Sequence, residues 1–313
     1  MRIAVIDMGT NTFNLLIADL QSNAFREVYS TKHPVKLGQK VFEEHVIDNN
    51  GISKILEVLK NYIDIAQSYS VEEIIAIATS SIRTAKNKED ILKTIKEKLN
   101  LDVKVIDGNR EAELIYYANT FAIKNLQKEI SNENCLIMDI GGGSTEFIIC
   151  NHQQQLWKQS FLLGMARLID EIKPNDPITN DDIERIHKYL DKSLHPLENK
   201  IKEYIPKILV GSSGVFDSIV EMIEANLHSL QVNKSNCVVP LSDFYEIYKS
   251  ILPLRYSERL QYKGLIEMRA DMIVVSMILI DYVLSKYNLQ KMIVSFYSLK
   301  EGVIIEKLYQ NKN

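Results

Sequence analysis

Cysteine is nearly missing: Cys135, Cys150 and Cys237 are the three thiols in 313 residues, an odd count without a C-x-x-C spacing. That excludes a disulfide framework and a thiolate metal knuckle, and buried thiols in a reducing cytoplasm are the expectation. Paired metal-ligand spacing is also missing among the six histidines, at 33, 45, 152, 187, 195 and 228, so a zinc site is not expected. No apolar stretch reaches membrane length. The candidate "MIVVSMILIDYVL" covers only 272–284, against the roughly 20 residues that a span needs. Asp7 interrupts the N-terminal apolar run too early for a signal core. Nor is positive charge in excess: 37 Lys and Arg against 41 Asp and Glu give a net charge of −4, which argues against a broad nucleic-acid surface. A polyanionic ligand would have to be held by a metal, aimed amides and a few local cations.

Glycine is scarce too, with 12 residues in the chain, yet three stand together in "IMDIGGGSTEFII" (137–149). This stretch has an echo 132 positions earlier, "VIDMGTNTFNLLI" (5–17), with Asp7 under Asp139, Gly9 under Gly141 and Thr12 under Ser144. The offset is too large for a solenoid repeat and points to two related domains, in a chain whose length suits two. Apolar, β-branched runs predict strands at 2–7, 13–20, 73–79, 101–106, 135–140, 145–150, 207–211 and 291–296. Helical stripes lie between them at 52–66, at 88–99 after Asn87, and at 111–122 after Asn109. Further helices are expected at 179–194, at about 267–287 and at 299–309, the last packing back on the first domain. Strands alternating with helices indicate an α/β protein with mixed sheets. The polar stretch 124–134 is the expected linker, which gives a first domain of 1–123 plus the C-terminal segment 298–313 and a second of 124–297.

A strand that delivers Asp into a glycine turn exposes backbone N–H groups with little side chain in the way, as close approach of a phosphate chain requires. The hydroxyls of Thr10, Thr12, Ser144 and Thr145 add neutral donors. One such turn would be an ordinary hairpin feature. Two matched copies, each led by Asp, make phosphate binding the better reading. Neither copy is a dinucleotide fingerprint or a P-loop, because no G-x-G-x-x-G opens a helix and no Gly-Lys-Ser/Thr follows.

The two stretches resemble the first and second phosphate motifs of the actin-like phosphotransferase superfamily. Within it, "ATSSIRTAKN" (78–87), "GNREAELIY" (108–116), "LLGMARL" (162–168), "GSSGVFDSI" (211–219), "MRADMI" (268–273) and "SLKEGVI" (298–304) are similar to the exopolyphosphatase and guanosine pentaphosphate phosphohydrolase (Ppx/GppA) family. The resemblance runs from residue 3 to about 308, in the family's order. It implies two ribonuclease-H-like, actin-like domains, each a mixed sheet flanked by helices, with a cleft between them. It also implies hydrolysis of the terminal phosphate of linear inorganic polyphosphate, or of the pentaphosphate nucleotide pppGpp, with Mg²⁺. Glu111 falls on the family's water-activating base, and Asp139 and Glu146 on its acidic metal-associated pair, with Asp7 completing the acidic cluster. Gly9, Thr10, Asn11, Thr12, Arg83, Gly141, Gly142, Gly143, Ser144, Thr145, Gly211 and Ser212 are the implied substrate contacts. Arg167 and Arg269 also match family arginines. Phosphoryl transfer needs such parts: a base that orients water, a metal, and donors aimed at phosphate oxygens.

The chain departs from the family in three places. Arg110-Glu111-Ala112-Glu113 reverses the charges that usually flank the base, and Lys36 and Lys300 stand where arginine is common, exchanging a planar fork for a point charge. No motif of the longer members' C-terminal helical module follows, so weak processivity on long chains is expected. A third reading, a non-catalytic actin-like nucleotide sensor, is disfavoured by Glu111, for which a sensor has no need. The resemblance allows a homodimer and implies neither a nucleic-acid nor a membrane partner.

Overall fold

The computed structural model describes residues 1–37, 45–126, 130 and 133–310 and divides into two units, Met1–Ala118 with Leu299–Asn313, and Asn119–Ser298. In the first, β1 (Arg2–Met8), β2 (Thr12–Leu20), β3 (Phe25–Pro34), β4 (Glu73–Ala78) and β5 (Val103–Val105) form one sheet in the order β3-β2-β1-β4-β5. The first three strands run antiparallel, while β4 is parallel to β1 and β5 to β4. Helices α1 (Asn49–Ser68), α2 (Ser80–Thr84), α3 (Lys88–Leu99) and α4 (Gly108–Ala122) follow in chain order.

The local code is ordinary amphipathicity. Ile55, Val58, Leu59, Tyr62 and Ala66 recur at helical spacing on the buried face of α1, and Asp48 caps the helix by accepting from the Gly51 N–H at 2.8 Å. That face shares one core with Ala4, Ile6 and Met8 of β1 and Phe13, Leu15 and Ile17 of β2. Strand alternation then turns Asp7 and Asn14 to the other side of the sheet. The C-terminal helix Leu299–Gln310 packs on β1 and β2 and brings Lys300 and Glu301 near Asp7.

In the second unit β6 (Cys135–Ile140), β7 (Thr145–Cys150), β8 (Gln155–Phe161), β9 (Ile208–Ser212), β10 (Asn236–Val239) and β11 (Lys291–Ser295) form a sheet in the order β10-β11-β9-β6-β7-β8. Its helices are α5 (Met165–Ile172), α6 (Asn180–Ser193), α7 (His195–Tyr204), α8 (Gly214–Leu227), α9 (Leu241–Ile251), α10 (Tyr256–Arg259) and α11 (Ile273–Lys286). Leu136, Met138 and Ile140 of β6 and Phe147 and Ile149 of β7 join side chains of these helices in one core. The run β8-β7-β6-β9-β11 repeats β3-β2-β1-β4-β5 strand for strand, with β10 added at the edge. Both units are therefore mixed sheets flanked by helices, the actin-like α/β arrangement that the resemblance implies.

Three strands, β3, β8 and the short β10, escaped the sequence reading, the first two for a physical reason. In β3 and β8, "FREVYSTKHP" and "QLWKQSF", charged and polar residues dilute the apolar period because each lies at a sheet edge, half exposed. The expected helix over 267–287 is interrupted: Glu267–Arg269 form a tight 3₁₀ turn and α11 begins at Ile273. Part of the linker expected over 124–134, residues 127–129 and 131–132, lies outside the described residues. All three cysteines are buried and free. Among the described residues no helix is long and apolar enough to cross a membrane.

The C-terminal helix meets α4 backbone to backbone, since a Cβ on Gly302 would lie 2.1 Å from the Leu114 carbonyl oxygen. Gly302→Ala is expected to lower unfolding stability by about 1–3 kcal/mol. Urea titration checks this, and an unchanged midpoint would mean that the helix can retreat freely.

Candidate active site

The two glycine turns have the same geometry. Gly9 N–H donates to the Thr12 carbonyl at 3.2 Å, and Gly141 N–H donates to the Ser144 carbonyl at 2.9 Å. An added Cβ would meet those same oxygens at 2.8 and 2.9 Å, so both turns exclude a side chain at their first position. A hydroxyl supports each turn from the neighbouring parallel strand's end: Thr79 Oγ1 donates to the Met8 carbonyl at 3.5 Å and Ser213 Oγ to the Ile140 carbonyl at 2.9 Å. The echo in the sequence is thus an echo in hydrogen bonding.

The acids differ between the copies. In the β6/β7 register Asp139 stands opposite Glu146, which puts both carboxylates on one face of the sheet, at 7% and 1% exposure. Ser212 Oγ donates to Asp139 Oδ2 at 2.8 Å, and Ser160 Oγ donates to Glu146 Oε1 at 2.7 Å. In the β1/β2 register the same two places hold Asp7 and Asn14, and Asn14 Nδ2 donates to Asp7 Oδ2 at 3.0 Å. One copy therefore buries two acids side by side, and the other sets a buried acid against a half-buried amide. Among the described residues no group of three or more His, Cys, Asp or Glu side chains is gathered as a metal site.

Glu111 sits in the first turn of α4 and is buried. Its helix starts earlier than expected: Asp107, not Asn109, takes the capping place, its Oδ1 accepting from the Arg110 N–H at 2.8 Å. An Asp before Gly108 reaches the free N–H three residues on, which Asn109, already inside the helix, cannot do. Arg83, from the short α2, donates through Nη1 to Glu111 Oε2 at 2.8 Å and to the Ile106 carbonyl at 3.0 Å. The carboxylate is thereby held in one orientation by a charge-assisted bond. The neighbouring Arg110 bonds Glu113 at 2.9 Å and also Glu306 of the C-terminal helix, so the reversed charge beside Glu111 is tied into the fold. Lys300 pairs with Glu301 at 2.9 Å.

The remaining expected contacts are distributed unevenly. Asn11 and Thr12 complete the first turn, and Gly142, Gly143 and Ser144 the second. Thr145 is enclosed and its hydroxyl donates to the Leu163 carbonyl. A Cβ at Gly211 would overlap the Phe216 ring at 2.1 Å, and the Ser212 hydroxyl is shared between Asp139 and the Tyr297 carbonyl, the latter at 3.1 Å. These three residues have clear work inside the second unit. Among the described residues, the buried hydroxyls without a partner include those of Thr10, Ser80 and Ser81. They sit at the same ends of β1 and β4, strands paired Met8 to Ala78. Ser80 and Ser81 lie within the 78–87 stretch, but nothing in the sequence marks them. A hydroxyl pair in a short turn carries no signal until its burial is known.

Residues 16–311 match the model of the Ppx/GppA phosphatase family. The crystal structure of an exopolyphosphatase from Cytophaga hutchinsonii is 39% identical and superposes with a TM-score of 0.93, the match covering 99% of this chain and 98% of that one. A putative exopolyphosphatase from Haemophilus influenzae is 24% identical over 310 residues, 98% of this chain and 92% of its own. The crystal structure of the Aquifex aeolicus Ppx/GppA family member, 24% identical with a TM-score of 0.81 over 100% of this chain and 99% of that one, has the same fold.

Burial pushes the Asp7 carboxyl from 3.8 up to about 6, with the Asn14 hydrogen bond and Lys300 pulling it down and Glu301 pushing it further up. The folded chain therefore holds this proton more tightly than the unfolded one. Asp7 costs nothing at acid pH, and its cost to stability grows as pH rises from about 4 through about 6. In metal-free protein Asp7→Asn is expected to be more stable than wild type near neutrality by on the order of 2 kcal/mol, with the gap closing below about pH 4. Unfolding curves at the two ends of that range check the sign, and a variant less stable than wild type near neutrality would contradict it.

Proposed function

Since the chain belongs to the Ppx/GppA phosphatase family, we propose that it is a phosphoanhydride hydrolase, an exopolyphosphatase that removes the terminal phosphate of linear inorganic polyphosphate as orthophosphate. The observation that carries the reading is Glu111, a buried carboxylate at a helix start, oriented by Arg83, on the position of the family's base. Glu111 takes a proton from water as the water oxygen attacks the terminal phosphorus. The bridging P–O bond breaks, and the electron pair stays on the shortened chain, whose end phosphate leaves as an anion.

The glycine turns and their hydroxyls are the proposed phosphate grips. The unpartnered Thr10, Ser80 and Ser81 hydroxyls support this, because a buried donor without an acceptor is unfavourable unless a ligand oxygen completes it. Arg83 is the proposed cationic contact, since a guanidinium has five donors and Glu111 and Ile106 use one of its nitrogens.

Mg²⁺ belongs to the reading. The residues fit a hard cation: Asp139 and Glu146 are buried oxygen donors side by side, whose mutual repulsion a divalent ion would relieve, and Mg²⁺ commonly takes one or two carboxylates with water and phosphate oxygens for the rest. When bound, the ion would neutralise charge on the transferred phosphoryl group. Ser212 and Ser160 hold the two carboxylates in place for it.

Phosphate release should be measured with polyphosphates of several lengths, pppGpp and ATP, with and without Mg²⁺. Glu111→Gln is expected to slow release by about 10²–10⁴-fold with little change in melting temperature. Release by the variant at the wild-type rate would remove Glu111 as the base. Turnover of pppGpp in preference to polyphosphate would move the substrate to the nucleotide, and turnover of ATP alone would sink both.

A further inference from the structure

A phosphate-binding turn works only if its peptide groups have their N–H ends free to face the anion, so something must hold the C=O ends the other way. The second turn shows what does so. Met165 N–H donates to the Gly141 carbonyl at 3.0 Å, Ala166 N–H to the Gly142 carbonyl at 3.0 Å, and Arg167 Nε to the Gly143 carbonyl at 3.4 Å. Three successive glycine carbonyls are thus docked on the first turn of α5. The docking is intimate: a Cβ on Gly164 would lie 2.3 Å from Gly142 C and Gly143 N.

The first turn is held by the same device made of backbone alone. Leu37 N–H donates to the Thr10 carbonyl at 2.9 Å, and Val35 and Lys36 N–H both donate to the Asn11 carbonyl, at 2.8 and 3.0 Å. In each copy the clamp comes from the residues that follow the third strand, β3 or β8. The third position is where the copies differ in kind: Asn11 is held by two amides, its counterpart Gly143 by a side chain. Burial pulls the Arg167 guanidinium below its ordinary pKa, with Tyr189, Glu171 and Asp170 acting the other way. A cation is kept there against its hydration, as an ordinary surface arginine is not.

We propose that Arg167 is a positioning residue for the second phosphate turn, acting through the Gly143 carbonyl, and that Gly164 and the α5 amides complete the clamp. The inference rests on the phosphate-binding reading of that turn. Without Arg167 the Gly143 peptide is free to rotate, and its neighbouring N–H groups lose their common direction before any phosphate arrives.

The test uses equilibrium binding of imidotriphosphate, a nitrogen-bridged tripolyphosphate that resists hydrolysis, to full-length protein with Mg²⁺ by calorimetry. Arg167→Ala is expected to weaken binding about tenfold, as loss of one charge-assisted contact does, and to raise KM for polyphosphate more than it lowers kcat. Arg167→Lys, which can still donate to the Gly143 carbonyl, is expected to recover most of the loss, and Gly164→Ala to weaken binding at least as much as Arg167→Ala. Wild-type affinity in Arg167→Ala overturns the proposal. A loss in Arg167→Lys as large as in Arg167→Ala also overturns it, because a strict need for guanidinium signals direct contact with phosphate. Should Arg167→Ala fail to fold, the Lys variant and Gly164→Ala decide between the same outcomes. Wild-type protein that binds no probe removes the phosphate-binding reading itself, and this inference with it.

Discussion

The structure depends on one small constraint, used twice: a glycine whose N–H bonds the carbonyl three residues on, at the end of a buried strand that carries Asp. The hydrogen bond leaves no room for a Cβ, so the chain must turn there and must turn the same way each time. Everything near the site follows from that turn. It sends β2 and β7 back beside β1 and β6, which sets Asp7 opposite Asn14 and Asp139 opposite Glu146. It also brings the ends of β4 and β9 alongside, where Thr79 and Ser213 can bond the carbonyl just before each glycine.

Each unit carries charges that are out of water yet individually held. Glu111 has Arg83, Asp139 has Ser212, Glu146 has Ser160 and Asp7 has Asn14. An isolated buried carboxylate is strongly unfavourable, and a well-aimed donor reduces the penalty while fixing the direction in which the carboxylate faces. The raised carboxyl of Asp7 shows that the Asn14 bond offsets only part of the cost of burial there.

Much of this was legible as residues and little of it as contacts. The doubled turn, the alternation of strands and helices, and the helix carrying Glu111 could be read because apolar period and glycine placement are local signals. The edge strands β3 and β8 could not, since half-exposed strands share their composition with loops. The packing of Gly211 on Phe216 and the bond from Thr145 to the Leu163 carbonyl were not legible in the sequence either. Ser80, Ser81 and Gly164 had nothing to mark them, because burial without a partner and the close approach of two backbones are properties of folded neighbours.

The sequence by itself determined the fold class, the two-fold repeat of the glycine turn and the family to which the chain belongs, since those rest on residue types at fixed spacing. Tertiary structure alone decided which acid keeps which partner, and which way each peptide of the turns faces. Arg83 and Glu111 lie 28 positions apart, and Arg167 lies 24 positions from Gly143. Hydrogen-bond geometry over such separations is set by how strands and helices pack, and no local spacing in the chain encodes it.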